Sequence, residues 1–209
     1  MTDKIIRTLF LDIGGVLLTN GWGRQERDKA ILKFNLNGIE VNERHHLTFD
    51  TFESGKLSLK EYLNRVVFYE PRDFSVEDFT KFMFGLSVPF KDTIDFFKGI
   101  KKQYNINVIA VSNEGRELNE YRINKFKLRE LFDAFVSSSY VHLRKPDIDI
   151  FLMACDISQT APEHSIYIDD RLMFVEVAQS LGMNGIQYIS LEDIKEKLLR
   201  FRFGTDAGR

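Results

Sequence analysis

The stretch "LFLDIGGVL", residues 9–17, sets one carboxylate, Asp12, at the end of an otherwise apolar run and follows it with Gly14 and Gly15. It opens a series. "RTLFLD" (7–12), "INVIAVS" (106–112), "DAFVSS" (133–138) and "HSIYID" (164–169) are short runs rich in Ile, Val, Leu and Phe, each closed by a polar or glycine-bearing turn. Unbroken apolar character over so few residues predicts strands buried on both faces of a parallel sheet. "GIQYI" (185–189) reads as a fifth strand.

Between these runs, 92–104, 116–127, 146–156, 171–182 and 191–201 carry apolar residues at three- and four-residue intervals, the period of a helix, and Gly182 stands where a C-terminal cap belongs. Strand and helix in alternation predict an α/β fold with a doubly wound parallel sheet. Residues 19–87 break the pattern. They read as four helices with no strand among them, Ser58 and Ser75 sitting at N-cap positions and Asp78 three residues after Ser75. The expected organisation is a core of 1–18 and 88–209 with a helical insertion over 19–87, hinged at "TNGWG" (19–23) and "SVPF" (87–90).

Composition narrows the function classes. With 209 residues and a formal charge of −2, the Lys and Arg scattered along the chain, there is no basic excess to neutralise a phosphate backbone, so nucleic acid is not the expected partner. Cys155 is the only cysteine and reads as a buried core thiol, which fits a reducing compartment. The N-terminal apolar run is too short to span a bilayer and lacks a cleavage pattern. A soluble, cytoplasmic protein with no membrane partner, working as a monomer or weak homodimer, is the expectation.

In an open parallel sheet, ligands bind outside the carboxyl ends of the strands. Asp12, the pair Ser112-Asn113, Lys145 in the loop after the third strand, and the pair Asp169-Asp170 all fall there. Each has a plain structural reading as a cap, a turn residue or a solvated lysine, but their coincidence at four strand ends points to one site. Three carboxylates brought together repel unless cations compensate, and Mg²⁺ with the Lys145 ammonium would do so. Such a constellation suits phosphoryl transfer through an aspartyl-phosphate.

"LFLDIGGVL", "VIAVSNEG", "LRKPDIDIF" and "IYIDDR" resemble, in order, the four motifs of the haloacid dehalogenase (HAD) superfamily, and the helical insertion resembles its C1 cap. Within it the chain is most similar to the branch of small sugar-phosphate phosphatases that includes α-glucose-1-phosphate phosphatase, which "FESGKLSLKEYL" also fits. The resemblance implies a Mg²⁺-dependent hydrolase of a small phosphorylated metabolite. It makes Asp12 the nucleophile and a metal ligand, Ser112 and Asn113 binders of the phosphoryl oxygens, and Lys145 a partner of Asp12 and the phosphate. Asp169 and Asp170 would hold the metal with the backbone carbonyl of Gly14.

Two positions depart from that pattern. Relatives commonly carry a second aspartate two residues after the nucleophile, which moves a proton at the leaving oxygen; here Gly14 stands instead. Either the leaving group needs little protonation, or the cap or a water supplies the base, or the site is impaired; His45 and His46 of the cap are candidates for the missing group, and Trp22 for the mouth. The second departure is "DDRLMFVEVA", with Met173, Phe174 and Val175 where a polar group often supports the metal. Two alternatives stay open: a 2-haloacid dehalogenase-like hydrolase, whose branch also lacks the second aspartate, and a phosphate-binding regulatory module.

Overall fold

The computed structural model describes residues 4–204. Its chain order is β1 (Ile5–Ile6), β2 (Thr8–Leu11), α1 (Arg24–Lys33), α2 (Gly38–Glu53), α3 (Leu59–Val66), α4 (Val76–Gly85), α5 (Lys91–Tyr104), β3 (Asn107–Ser112), α6 (Arg116–Lys125), β4 (Ala134–Ser137), α7 (Ser138–Val141), α8 (Ile148–Ser158), β5 (Ser165–Asp169), α9 (Leu172–Ser180), β6 (Asn184–Gln187), α10 (Leu191–Leu198) and β7 (Arg202–Phe203). Five strands form one parallel sheet in the order β4-β3-β2-β5-β6. The chain steps outward from β2 to β4 and then returns to the other side of β2, so β2 and β5 flank the switch point at which such sheets bind ligands.

Alternation along each strand divides the core. Leu9, Leu11, Val108, Ala110, Ile166 and Ile168 join Ile94, Phe97, Ile194 and Leu198 on one face. Phe10, Ile109, Val111 and Tyr167 join Ile150, Phe151, Phe174 and Val175 on the other. The period of two thus feeds two layers of helices from one set of strands. β1 and β7 form a separate parallel pair, too short for any periodicity to announce it.

The helices α1 to α4 lie between β2 and β3 and pack around Trp22, Val41, Phe52, Tyr62, Leu63, Phe79 and Met83, with Leu118 of α6 reaching into the cluster. Their starts follow from the sequence. Ser58 forms a reciprocal capping box with Glu61, and Ser75 accepts from the Asp78 N–H. The connections run side by side: the Thr19 N–H donates to the Val88 carbonyl at 2.9 Å and the Phe90 N–H to the Leu17 carbonyl at 2.8 Å. The end of α2 rests on the sheet-bearing part, where Ser138 Oγ donates to the Glu53 carbonyl at 2.6 Å. No helix among the described residues is long and apolar enough to cross a membrane.

Candidate active site

Parallel register decides which side chains meet. Leu11 is level with Ala110 on one side and Ile168 on the other, so Asp12 emerges between the ends of β3 and β5. Its own N–H still donates to the Ile168 carbonyl at 2.9 Å, and the Ile13 N–H donates to its Oδ1 at 2.8 Å. The carboxylate is therefore aimed by backbone rather than left to choose a rotamer.

Lys145 is wholly buried, and its ammonium is fully engaged. Nζ donates to Asp169 Oδ2 at 2.7 Å and to the Val111 carbonyl at 3.0 Å, and lies 3.3 Å from Asp12 Oδ1. Burial pushes the ammonium's pKa down, but Asp12 and Asp169 outweigh burial and hold it above the ordinary value. The Asn113 side chain fixes the lysine's backbone at both ends: Nδ2 donates to the Lys145 carbonyl and Oδ1 accepts from the Lys145 N–H, each at 2.9 Å. The same amide predicted to bind phosphoryl oxygens thus joins two loops, and Asn113 also lines the cavity.

Asp169 has no exposure, and both its oxygens have protein donors: Lys145 and the Tyr167 hydroxyl on Oδ2, the Arg171 N–H on Oδ1. Burial pushes its pKa up, yet Lys145 and these hydrogen bonds carry it below the usual range. Asp170 differs. Its Oδ1 is buried with no hydrogen-bond partner, and burial together with the Asp169 charge raises its pKa. Asp12 is raised to about 6 by burial, with Asp169 and Asp170 adding to the rise and Lys145 opposing it.

Asp12, Asp169 and Asp170 each offer an oxygen, these atoms lying within 4.8 Å of one another. Hard oxygen donors, an excess of negative charge and an orphaned buried oxygen suit Mg²⁺. Gly15 makes room for this packing: at φ +74°, a Cβ there would come 2.4 Å from the Asp170 carboxyl carbon. Gly15→Ala is therefore expected to lose about 1–3 kcal/mol in urea unfolding and to displace Asp170, blunting any stabilisation by added Mg²⁺.

Asp12, Gly14, Asn113 and Lys145 line one cavity of about 60 Å³. Ser112 is buried at the end of β3 and is not among its lining residues. Phe174, at the second departure from the motifs, puts its ring 5.1 Å from Lys145 Nζ, a cation–π contact in place of a polar support. Trp22 lines the cavity while its Nε1 donates to the Tyr62 hydroxyl at 2.8 Å. The two α2 histidines, His45 and His46, do not line the cavity. His45 is bound through Nδ1 to the Tyr62 hydroxyl at 2.7 Å, and burial, with Arg27 and other nearby cations, drives its pKa down to about 3.

The cavity also takes in Asn20, Glu53, Glu114, Arg122 and Arg171, which pattern reading missed. A signal existed for Arg122. It follows Leu118 by four residues in α6, and both are buried on the inward stripe of that helix. Glu53 lines the cavity from the end of α2 and is held by Arg144 Nε at 2.6 Å.

The fold as a whole is shared. A HAD family enzyme of Bacteroides thetaiotaomicron, in complex with magnesium and inorganic phosphate, superposes with a TM-score of 0.79 at 20% identity, covering 92% of this chain and 98% of that one. A HAD-like family hydrolase of Porphyromonas gingivalis gives 0.76 at 21% identity, over 95% and 100% of the two chains. L-2-haloacid dehalogenase of Xanthobacter autotrophicus, with chloropropionic acid covalently bound, gives 0.63 at 12% identity, over 94% and 83%. Among curated proteins, drimenol cyclase of Aspergillus calidoustus is 29% identical over 116 residues, which are 54% of this chain but only 22% of the cyclase. Residues 54–187 match the model of the haloacid dehalogenase-like hydrolases, and the chain belongs to that family.

Proposed function

We propose that the protein is a Mg²⁺-dependent phosphatase of a small phosphorylated metabolite, a sugar phosphate being the preferred class, with Asp12 as nucleophile. The observation that carries this reading is the placement of Asp12 at the switch point, beside a buried lysine and within 4.8 Å of the two further carboxylates. The magnesium and phosphate complex of the Bacteroides enzyme supports it. Mg²⁺ held by Asp12 and Asp170, with Asp169 and the Gly14 carbonyl completing the set, would neutralise charge developing on the phosphoryl oxygens. Asp12 attacks phosphorus and carries the phosphoryl group. Lys145 offsets charge on Asp12 and on the transferring oxygens, while Asn113 keeps the lysine in place.

Residues 19–87 act in this reading as a C1 cap, as in the glucose-1-phosphate phosphatase-like branch. Trp22 and Glu53 wall a cavity of about 60 Å³, room for a phosphoryl group but not for a sugar beside it. Substrate entry then requires the paired connections at 19–23 and 87–90 to flex and the Arg144 ion pairs with Glu53 (2.6 Å) and Asp50 (2.9 Å) to open.

The test is phosphate release from a panel of sugar phosphates and p-nitrophenyl phosphate, with Mg²⁺ or with EDTA. Release that requires Mg²⁺ is expected; none from any ester would overturn the reading. Gly14 also leaves room for a dehalogenase, because that chemistry does not use a second aspartate. Metal-free chemistry leaves the orphaned Asp170 oxygen without a purpose, however, and only halide release from 2-chloropropionate in EDTA would favour it.

A further inference from the structure

The place left empty at position 14 has charged surroundings. A Cβ there would lie 3.1 Å from Asn20 Oδ1 and 3.8 Å from Arg122 Nη1. Arg122 is 2% exposed and its Nη1 donates to Glu114 Oε2 at 3.0 Å, while its Nη2 donates to the Thr19 carbonyl. Glu114 is 6% exposed and takes the Gly115 N–H on its other oxygen at 3.1 Å. Both residues line the cavity with Asp12 and Lys145. A buried ion pair contributes little net stability, since desolvation offsets the attraction. One built into the wall of a reaction cavity, next to a missing side chain, calls for a chemical reason.

We propose that Glu114 is the proton carrier of this site, doing what a carboxylate at position 14 would otherwise do, with Arg122 positioning it. The proposal rests on the phosphatase reading. As an Asp12 oxygen bonds to phosphorus and the bond to the leaving group breaks, the leaving oxygen keeps the electron pair and takes the proton of the Glu114 carboxyl. The Glu114 carboxylate then removes a proton from water as the water oxygen bonds to phosphorus. The bond from phosphorus to Asp12 breaks, its electrons return to the aspartate, phosphate departs and Glu114 is protonated again.

The electrostatics fit a group that must give and take a proton near neutrality. Burial raises the Glu114 pKa to about 7, Glu53 and Asp12 add to the rise, and Arg122 and the Gly115 N–H oppose it. The charged and titratable groups facing it are Arg122 from α6, Glu53 from the end of α2, Asp12 from the end of β2 and Tyr62 from α3.

The experiment compares an alkyl phosphate, whose leaving oxygen needs a proton, with p-nitrophenyl phosphate, whose leaving group does not. Glu114→Gln is expected to lower kcat/KM for the alkyl ester by about 10²- to 10⁴-fold. With p-nitrophenyl phosphate it should keep a burst of nitrophenolate near one equivalent and then turn over slowly, because the phosphoenzyme waits for its base. Equal losses on both esters without a burst, or unchanged turnover, would overturn the proposal, as would the same selective loss in Glu53→Gln instead.

Wild-type protein gives a second measurement that is independent of how the variant folds. The ratio of alkyl to aryl kcat/KM should fall by about tenfold per pH unit above about 7, as the Glu114 proton is lost. A flat ratio would also sink the proposal. If wild-type protein with Mg²⁺ cleaves neither ester, the phosphatase reading itself falls. If it cleaves both, and Asp12→Asn cleaves neither, that reading stands whatever Glu114 does.

Discussion

Asp12→Asn is expected to abolish turnover, by about 10⁴-fold or more, while making the metal-free protein more stable. An amide oxygen is a poor nucleophile, yet it can still accept the Ile13 N–H that aims the aspartate, so the loss is chemical rather than structural. The stability gain follows from the carboxyl's pKa, raised from 3.8 to about 6 by burial and by Asp169 and Asp170 against Lys145. A raised carboxyl binds its proton more tightly in the folded state, so folded stability drops as pH rises through the interval from about 4 to about 6. Above it the ionised Asp12 costs on the order of 2–3 kcal/mol. Thermal melts in EDTA should show the variant level with the wild type near pH 4 and several degrees above it at pH 7.5. A variant that melts below the wild type at pH 7.5 would contradict the electrostatic account, and retained turnover would contradict the nucleophile.

Lys145→Met should reverse the stability effect and still remove activity. The side chain is enclosed and its ammonium lies between Asp12 and Asp169. Removing one partner from a buried charge network typically costs about 3–5 kcal/mol, because the remaining charges are left unpaired. Without the lysine the Asp169 carboxyl loses the cation that holds its pKa low, and both aspartates move upward. Protons can replace the cation at low pH, so the stability deficit should be largest at neutral pH and shrink toward pH 4. Urea unfolding across that range checks it. Lys145→Arg is not expected to rescue either property, since a planar fork cannot reach the Val111 carbonyl and both carboxylates from within the space of one ammonium.

The candidate site residues were legible because all but Lys145, which follows β4 in a loop, sit at the end of an apolar run. Asp12, Ser112 and Asp169-Asp170 stood out against Ile, Val and Phe, and parallel strands place such ends on one edge. The division of labour among them was not legible. Asp169 and Asp170 are adjacent and identical, yet one is saturated with protein donors and the other keeps a bare oxygen. Asn113 lines the cavity, and its side chain also clamps the Lys145 backbone, a second task that no local pattern announced. His45 looked like a candidate proton carrier, but it is bonded to the Tyr62 hydroxyl away from the cavity, and burial with Arg27 nearby drives its pKa down to about 3.

By itself the sequence determined the alternation of strand and helix, the four helices α1 to α4 within residues 19–87, the serine caps at 58 and 75, and the carboxylates at the strand ends. These are local matters, settled by period, capping and short-range sterics within a few residues of each other. Only the tertiary structure decided that Arg122 of α6 faces the gap at Gly14, that Glu114 is enclosed beside it, and that Glu53 of α2 lines the same cavity. Those arrangements depend on how far each group is desolvated and which charge from another element stands next to it. Neither quantity exists until the helices have packed.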